Sequence, residues 1–258
     1  MTDHRSKPLL TVITASYNAI AGLRKTVASV AGQRGDGVEH VIIDGGSTDG
    51  TGAYLESRGD KIRWVSEPDD GIADALNKGV AMARGDYVLI LQAGDTFADP
   101  NVLNAVEPFL DGRSDIVSGP VIFIRDGQQR LWPAGNLSKR MALHMTMPHQ
   151  GMFCHRHLFD RIGLFDTKYR ITMDYDWLMR AWRAGAKSSR FDKPIAIMPD
   201  DGVSSRVDWP GMSTRLREVR RLHFSHAKSA TGRIAYRAYW AAYWPYKRLQ
   251  AMGRGLAK

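Results

Sequence analysis

The sequence predicts an α/β protein whose mostly parallel sheet is covered by helices on both faces. In the first half of the chain, apolar, β-branched runs alternate with apolar residues at helical spacing, the pattern of parallel strands joined by helices. At 258 residues and 43% hydrophobic residues, the chain can bury a full core. A basic, aromatic stretch that follows is expected to form a helical tail. We therefore predict a sheet domain over residues 1–205 and a helical C-terminal extension over residues 206–258.

Four apolar runs in the first half are predicted to be buried strands. They are LLTVIT at 9–14, VEHVII at 38–43, IRWV at 62–65 and YVLIL at 87–91. The helix after the first strand is expected to be capped by Asn18, and the helix before the fourth strand by Asp70. Gly85 follows the expected end of that second helix.

The second half of the chain is less regular. Strands are predicted around the Gly-Pro turn of residues 114–124 and again at 195–198. The stretch DYDWLMRAWRAG at 174–185 predicts an amphipathic helix that Asp174 caps and Gly185 ends. In the tail, Pro245 is expected to end a helix.

The net charge of +9 is concentrated in the tail. Residues 203–258 carry 12 Lys+Arg against 2 Asp+Glu, a balance of +10, which leaves 24 against 25, or −1, for residues 1–202. The tail interleaves its arginines with tyrosines and tryptophans over residues 233–250, which suits an anionic membrane surface. The alternative is a helix that packs its aromatic rings onto the domain. Nucleic acid is the less favoured partner, because no RNA-binding module accompanies the aromatic residues.

The cysteine content and the N-terminus indicate a compartment. The single cysteine, Cys154, excludes an internal disulfide framework, fits a reducing compartment and is expected in the core. The N-terminus lacks the apolar segment of a signal peptide, and no stretch approaches the ~18 apolar residues of a spanning helix. We expect a cytoplasmic protein, peripheral on the inner membrane face if its tail binds lipid.

Polar clusters follow each of the four predicted strands. They are TASYN at 14–18, DGGSTDG at 44–50, SEPDDG at 66–71 and QAGD at 92–95. Because parallel strands end at one rim of a sheet, these clusters are expected to line one pocket. An aspartate at a strand end can accept hydrogen bonds from a base or ribose, and glycines after it allow close approach. The clusters match neither G-x-G-x-x-G nor a P-loop, so any nucleotide site here differs from both.

These clusters, in this order, resemble the family-2 glycosyltransferases of the GT-A fold. The resemblance covers roughly residues 9–205 and includes HQGMFCHRHLFDRIGLFD and ITMDYDWLMR. The forms DGGSTDGT and EPDxGIxDAxNKG are similar to the branch that builds bacterial exopolysaccharides and lipid-linked oligosaccharides. The resemblance implies a Rossmann-like GT-A domain, a nucleotide-sugar donor such as a UDP-sugar, Mn²⁺ or Mg²⁺, and inversion at the anomeric carbon. The acceptor is expected to be a saccharide or, from this branch together with the basic aromatic tail, a polyprenyl-linked one.

The resemblance implies that all four clusters help to bind the donor. The implied residues are Thr14, Ser16, Tyr17, Asp44, Gly45, Glu67, Asp70, Asp74, Gln92, Ala93 and Gly94. Gly45 stands where family members usually have a second aspartate, so Asp44 is expected to carry more of the base recognition. A plain turn is the alternative role for Ser16, and a helix cap the alternative for Asp70.

The implied metal motif is reduced. Family members usually have D-x-D or a variant such as DADD, whereas here only Asp95 of Gln-Ala-Gly-Asp is charged. One carboxylate can suffice, because a hard divalent cation keeps waters and takes diphosphate oxygens as ligands. His149 is a candidate further ligand, with a structural hydrogen bond as its alternative role; for Asp95 the alternative is a turn or cap residue. The missing acid also supports a second hypothesis, an inert homologue that binds a nucleotide or saccharide.

Direct displacement at the anomeric carbon needs one carboxylate to take the proton of the acceptor hydroxyl. The family places this base in an acidic pair at the start of a helix, and aligning MDYDW with the usual EDYD pattern selects Asp174. Asp176, expected on another side of the helix, is the second candidate. Arg156 and Arg161 are candidates to approach phosphates, with solvated surface arginines as the alternative interpretation.

Overall fold

The computed structural model describes residues 7–34, 37–199 and 208–253. The strands are β1 (Leu10–Ser16), β2 (Val38–Asp44), β3 (Arg63–Ser66), β4 (Tyr87–Ile90), β5 (Thr96–Phe97), β6 (Ile116–Ser118), β7 (Val121–Arg125), β8 (Gln128–Trp132), β9 (Met152–His155), β10 (Ser188–Arg190) and β11 (Ala196–Met198). The α-helices are α1 (Ile20–Ala31), α2 (Thr51–Glu56), α3 (Ile72–Met82), α4 (Val102–Val106), α5 (His157–Ile162), α6 (Met173–Arg183), α7 (Trp209–Ser225) and α8 (Ala230–Gly253).

A seven-stranded sheet with the order β10-β6-β9-β4-β1-β2-β3 forms the centre of the protein. Its strands are parallel except β9, which pairs antiparallel with β4 and β6. The predicted mostly parallel sheet is confirmed, and each of the four strands predicted in the first half begins and ends within two residues of its prediction. A second, four-stranded sheet with the order β5-β11-β7-β8 was not anticipated as a separate sheet.

The central strands are apolar on both faces because both faces are covered. Every residue of β1 is buried, and its side chains alternate between two cores: Ile13 packs in the core beneath α3 and α6, and Val12 in the core beside α4. Cys154 lies in the first of these cores, 6% exposed, and burial raises the pKa of its thiol to about 12. The expected core role of this cysteine is confirmed.

The C-terminal residues form two helices, α7 and α8, which pack against each other. Leu216, Ala227, Tyr236 and Trp240 are buried in a small apolar cluster between them. The predicted boundary between residues 205 and 206 lies outside the described residues. No helix in the described ranges has the length and apolar character needed to cross a bilayer.

Two of the predicted helix caps are wrong, because neither Asn18 nor Asp70 occupies the cap position of its helix. Asn18 has φ 48° and precedes the α1 cap residue Ala19, and the N–H of Ile20 donates instead to Asp49 Oδ2 at 2.9 Å. Asp70 is exposed and precedes Gly71, the cap residue of α3, which has φ 110° and whose N–H donates to Asp69 Oδ1.

Two further helix-end predictions are wrong and one is confirmed. Thr172 is the α6 cap residue, so Asp174 lies inside the first turn, not before it. Pro245 lies inside α8 and does not end it. The helix tolerates this proline at the cost of one backbone hydrogen bond. Gly185 follows the end of α6 with φ 70°, as predicted.

Gly85 is required by close packing of the chain on β1, so Gly85→Ala should destabilise the fold. A Cβ at this position would lie 2.5 Å from the backbone nitrogen of Thr11, and backbone cannot move aside as a side-chain end can. We expect a loss of about 3 kcal/mol in the free energy of unfolding, measured by urea denaturation. The control Gly52→Ala, in α2 with open space around its Cβ, should be neutral or stabilising. Equal effects of the two substitutions would contradict the packing argument.

Candidate active site

The first three polar clusters meet at one edge of the central sheet. Ser16, Asp44 and Ser66 are aligned across β1, β2 and β3. The Asp44 carboxylate is fully buried and accepts hydrogen bonds from the hydroxyls of Ser47 and Ser66 and from the N–H of Ser47. Asp44 therefore fixes the loop after β2 through its bonds to Ser47 and joins it to the end of β3 through Ser66. Ser16 Oγ is buried and has no hydrogen-bond partner among the described residues.

Above Asp44, the mouth of this rim is formed by Tyr17, Gly45 and Asp69. The Tyr17 ring is 66% exposed. A Cβ at position 45 would lie 2.6 Å from Asp69 Oδ2 and 3.3 Å from the Tyr17 ring. The carboxylate of Asp69 thus occupies the space that a side chain at position 45 would fill. Sequence reasoning missed Asp69, although it lies within the SEPDDG cluster.

The fourth cluster, after β4, presents Asp95 in a fixed orientation. Asp95 is 5% exposed, and its Oδ2 accepts hydrogen bonds from the N–H of Gln92 at 2.9 Å and from Gln150 Nε2 at 3.1 Å. Gly94 has φ 112°, and its N–H donates to Thr26 Oγ1 of α1. The QAGD turn is therefore held between α1 and the segment that carries Gln150.

That segment is a short 3₁₀ turn, His149–Gly151, which connects two carboxylates. His149 Nδ1 donates to Asp174 Oδ2 at 3.0 Å, and the adjacent Gln150 donates to Asp95. His149 Nε2 and Gln150 Oε1 are buried and have no hydrogen-bond partner among the described residues. Buried polar atoms without partners are uncommon, and here two of them lie between Asp95 and Asp174.

The first turn of α6 carries Asp174, which lines a small, mostly apolar cavity. Asp174 is 9% exposed, and its Oδ1 accepts the N–H of Tyr175 at 2.8 Å. His149 lines the same cavity, and the remaining lining residues are Val88, Ile90, Met152, Cys154, Phe159, Phe165 and Trp177. These apolar neighbours and the His149 bond fix the orientation of the Asp174 carboxylate.

Comparison with known proteins identifies the family. Residues 11–185 match the Glycosyl transferase family 2 domain. The chain belongs to this family. An uncharacterized glycosyltransferase of Mycobacterium tuberculosis is 35% identical over 194 residues, which cover 68% of this chain and 70% of that protein. A PGL/p-HBAD biosynthesis glycosyltransferase of Mycobacterium bovis is 32% identical over 190 residues, which cover 71% of this chain and 73% of that protein.

Solved structures with less than 25% identity share the fold of this glycosyltransferase. The mannosyltransferase PcManGT of Pyrobaculum calidifontis, solved with GDP-Man and Mn²⁺, superposes with a TM-score of 0.65 at 20% identity, covering 96% of this chain and 76% of that one. S. aureus TarS, solved with UDP, gives a TM-score of 0.63 at 20% identity and covers 83% of this chain and 64% of that one. The GT-A fold that the sequence implied is confirmed.

Asp176 of the glycosyltransferase is engaged away from the cavity. Its Oδ1 accepts from His226 Nε2 at 2.8 Å and its Oδ2 from Arg180 Nε at 2.9 Å. Burial acts to raise the pKa of this carboxyl, but the His226 hydrogen bond and the Arg180 charge outweigh burial and lower the pKa below its ordinary value. Asp176 therefore stays ionised and serves to anchor α6.

The C-terminal helices hold the same turn of α6 at two more points. Glu218 of α7 accepts the backbone N–H groups of Ile171 and Thr172, at 2.9 and 3.0 Å, in the segment leading into α6. His223 lies between Trp240 and Tyr175. Because the indole N–H of Trp240 can only donate, His223 Nδ1 accepts it, and His223 Nε2 donates to the Tyr175 hydroxyl. Burial lowers the pKa of His223 to about 4, which keeps the ring neutral for this arrangement.

Of the remaining residues of the predicted donor site, three lie beside or on the SEPDDG loop and one is buried inside the protein. Glu67 and Asp74 are ion-paired with Lys78 of α3, at 2.8 and 3.4 Å, beside the SEPDDG loop. Asp70 lies exposed on the same loop. Thr14 does not reach the rim: it is fully buried, with its hydroxyl against His40.

The two candidate phosphate-binding arginines have structural partners. Arg156 Nε donates to the carbonyl of Gly85, which precedes β4, at the edge of the sheet opposite the four clusters. Arg161 forms an ion pair with Asp115 at 3.3 Å. Both therefore stabilise the fold away from the rim.

Replacing Asp176 should reduce stability in a pH-dependent way. Because the folded-state pKa is lowered, the stabilisation is complete above the ordinary value of 3.8 and is lost as pH falls through the folded-state pKa. Asp176→Asn should cost on the order of 3 kcal/mol of unfolding free energy at pH 7, because Arg180 and His226 lose their buried partner. Urea titrations between pH 7 and pH 3 should show that the difference in unfolding free energy between the variant and wild type becomes smaller as pH falls below 3.8. The exposed control Asp160→Asn should change little at any pH; a pH-independent loss in Asp176→Asn would contradict the ion-pair role.

Proposed function

We propose that this glycosyltransferase moves a sugar from a nucleotide-sugar donor, a UDP-sugar in the simplest case, to a hydroxyl of a saccharide or lipid-linked acceptor, with inversion. The observation that carries this proposal is the His149–Gly151 turn, whose adjacent residues bond Asp95 and Asp174. These two bonds support the proposal because they link Asp95, on the proposed donor side, to Asp174, the proposed base. The nucleotide complexes of TarS and PcManGT support a nucleotide-sugar donor.

The donor base and ribose are proposed to bind at the mouth formed by Tyr17, Gly45 and Asp69. An exposed ring supplies a stacking surface, and a carboxylate accepts hydrogen bonds from base N–H or ribose O–H groups. Asp69 would thereby take the place of the acid that family members usually have at position 45. Asp44 supports this surface from below through Ser47 and Ser66.

A divalent cation, Mn²⁺ or Mg²⁺, could bind at the QAGD turn if the diphosphate of the donor supplied most of its ligands. The described residues contain no set of three His, Cys, Asp or Glu side chains placed to hold an ion. The chain can offer the buried Asp95 carboxylate and the unpartnered His149 Nε2, and diphosphate oxygens and waters would supply the other ligands. When bound, the cation would stabilise the negative charge of the leaving diphosphate.

Asp174 is proposed as the general base. The acceptor hydroxyl would lose its proton to the Asp174 carboxylate as its oxygen bonds to the anomeric carbon, while the bond from that carbon to the diphosphate breaks on the opposite side. His149 and the N–H of Tyr175 each occupy one side of the carboxylate, which leaves lone pairs to accept the hydroxyl. Asp176 is ionised and already bonded to Arg180 and His226, so it is not needed for this step.

A second candidate function is that of an inert homologue that binds a nucleotide or saccharide. It is favoured by one observation: Gln92 and Gly94 stand where family members have acidic metal ligands. An inert protein would bind nucleotides but would not turn over any sugar nucleotide in the presence of Mn²⁺ or Mg²⁺.

The acceptor is proposed to be lipid-linked and the enzyme peripheral on the cytoplasmic face of the inner membrane. The basic C-terminal helices support this proposal, because they suit an anionic surface and are hydrogen-bonded to the helix that carries Asp174.

Asp174→Asn should abolish transfer without abolishing donor binding. We expect kcat to fall by about 10²–10⁴-fold, because the acceptor hydroxyl loses its proton acceptor. Nucleotide affinity, measured by calorimetry, should stay within a few-fold of wild type. The exposed control Asp160→Asn should keep full kcat. Wild-type kcat in Asp174→Asn would remove Asp174 from the mechanism, and absence of turnover by the wild type with UDP- and GDP-sugars would favour the inert homologue.

Asp69→Asn should weaken nucleotide binding. The loss of a charged acceptor should raise the Kd for the nucleotide by about tenfold, because hydrogen bonds to charged groups contribute roughly 1.5–3 kcal/mol. Calorimetric titration with UDP and with GDP measures this change and also shows which base is preferred. Asp60→Asn, on an exposed turn outside the rim, is the matched control. If the two variants bind nucleotide equally well, the site does not include Asp69.

A further inference from the structure

Helix α8 has apolar residues on two opposite faces. The inner face carries Tyr236 and Trp240, which are buried against α7 and the sheet domain. On the opposite side, apolar residues recur every three or four positions and therefore lie in one row. This row, the outward stripe, consists of Ile234, Ala238, Ala241, Pro245, Leu249 and Met252.

The outward stripe is exposed along the whole helix. Ile234, Leu249 and Met252 are 63%, 66% and 56% exposed, and the three residues between them are exposed as well. At 1.5 Å per residue, the stripe from Ile234 to Met252 extends about 27 Å, so it is a row of exposed apolar residues rather than a single exposed side chain.

Positive charge lies beside this stripe without any negative charge in the same helix. The α8 sequence contains four Lys or Arg residues and no Asp or Glu. Arg237 and Arg248 are exposed next to the stripe, and the described part of the chain gives neither an acidic partner. Arg237 also lines a groove between α7 and α8 with Arg220, whose guanidinium lies 5.8 Å from the Phe224 ring.

We propose that the outward stripe and its flanking arginines bind the surface of an anionic phospholipid bilayer, with α8 lying in the plane of the interface. Apolar side chains along one row would enter the headgroup boundary, and the arginines would meet lipid phosphates. Membrane binding would give the proposed enzyme access to a lipid-linked acceptor, and only this point rests on the proposed function. A folded partner protein would need acidic groups matched to the arginines, whereas an anionic bilayer supplies them along the full length of the helix.

The structure changes which residues of the tail face the membrane. The sequence left two interpretations of the tail rings open, an interfacial position or packing onto the domain; these rings are Tyr236, Tyr239, Trp240, Tyr243, Trp244 and Tyr246. Tyr236 and Trp240 are instead buried, with hydrogen bonds to the Ala142 carbonyl and to His223. The inner face thus fixes α8 to the domain, and the outward stripe then has a set position relative to Asp174.

Vesicle binding tests the proposal with the full-length protein. Wild type should co-sediment with vesicles of phosphatidylcholine and phosphatidylglycerol, and more weakly with phosphatidylcholine alone. The triple variant Ile234→Ser, Leu249→Ser, Met252→Ser should bind at least ~10-fold more weakly, because three apolar side chains no longer enter the interface. Arg237→Gln with Arg248→Gln should weaken binding about fivefold per charge removed, and only to vesicles that contain phosphatidylglycerol. Leu131→Ser, which replaces a 60% exposed leucine on β8, is the matched control.

The outcomes separate this proposal from its alternatives. Unchanged vesicle binding by the triple variant, with a wild-type circular dichroism spectrum, would overturn it. A different result would also overturn it: wild type sediments as a dimer, the triple variant sediments as a monomer, and neither protein binds vesicles. Salt-sensitive RNA binding lost in the arginine variant, with no vesicle binding, would also overturn it. Donor turnover in solution should be unchanged in the triple variant. If the wild type has no turnover but binds vesicles through the stripe, the proposed reaction is wrong and the proposed membrane-binding surface is supported.

Discussion

The candidate site depends on the burial of two carboxylates in the first turn of α6. Removing a carboxylate from water is costly unless hydrogen bonds and opposite charges compensate, so each of the two must have dedicated partners. Asp176 obtains them from Arg180 and His226. Asp174 obtains a single side-chain partner, His149, and otherwise faces the cavity. This difference in partners explains why Asp176 is placed to hold the helix and why Asp174 is the carboxylate proposed as the base.

The same constraint connects the two halves of the site. His149 and Gln150 are neighbours in a turn too short to move independently, and each bonds a different carboxylate. Asp95 and Asp174 are therefore linked through two side chains that share one peptide unit. The buried atoms His149 Nε2 and Gln150 Oε1 remain available at this point, where donor phosphates and acceptor are proposed to meet.

The C-terminal helices belong to this arrangement and are not a separate attachment. Glu218, His223 and His226 each bond the segment from Ile171 to Asp176, so the helices that fix α6 are those that carry the basic surface. In the hydrogen-bond series Trp240–His223–Tyr175, one ring nitrogen of His223 accepts and the other donates, because burial keeps the ring neutral. A membrane contact on the outward stripe would hence orient the rim relative to the lipid surface.

The sequence by itself determined the sheet and its rim. The β-branched runs of β1 to β4 cannot be exposed, and parallel strands place their polar ends together, so the alignment of Ser16, Asp44 and Ser66 followed from local patterns. Only the tertiary structure decided what depends on residues distant in the chain. Asp69 fills the space above Gly45, Asp49 replaces Asn18 at the start of α1, and His226 withdraws Asp176 from the site. Periodicity reports which face of an element is buried, but it does not report which side chain from another segment comes to lie against that face.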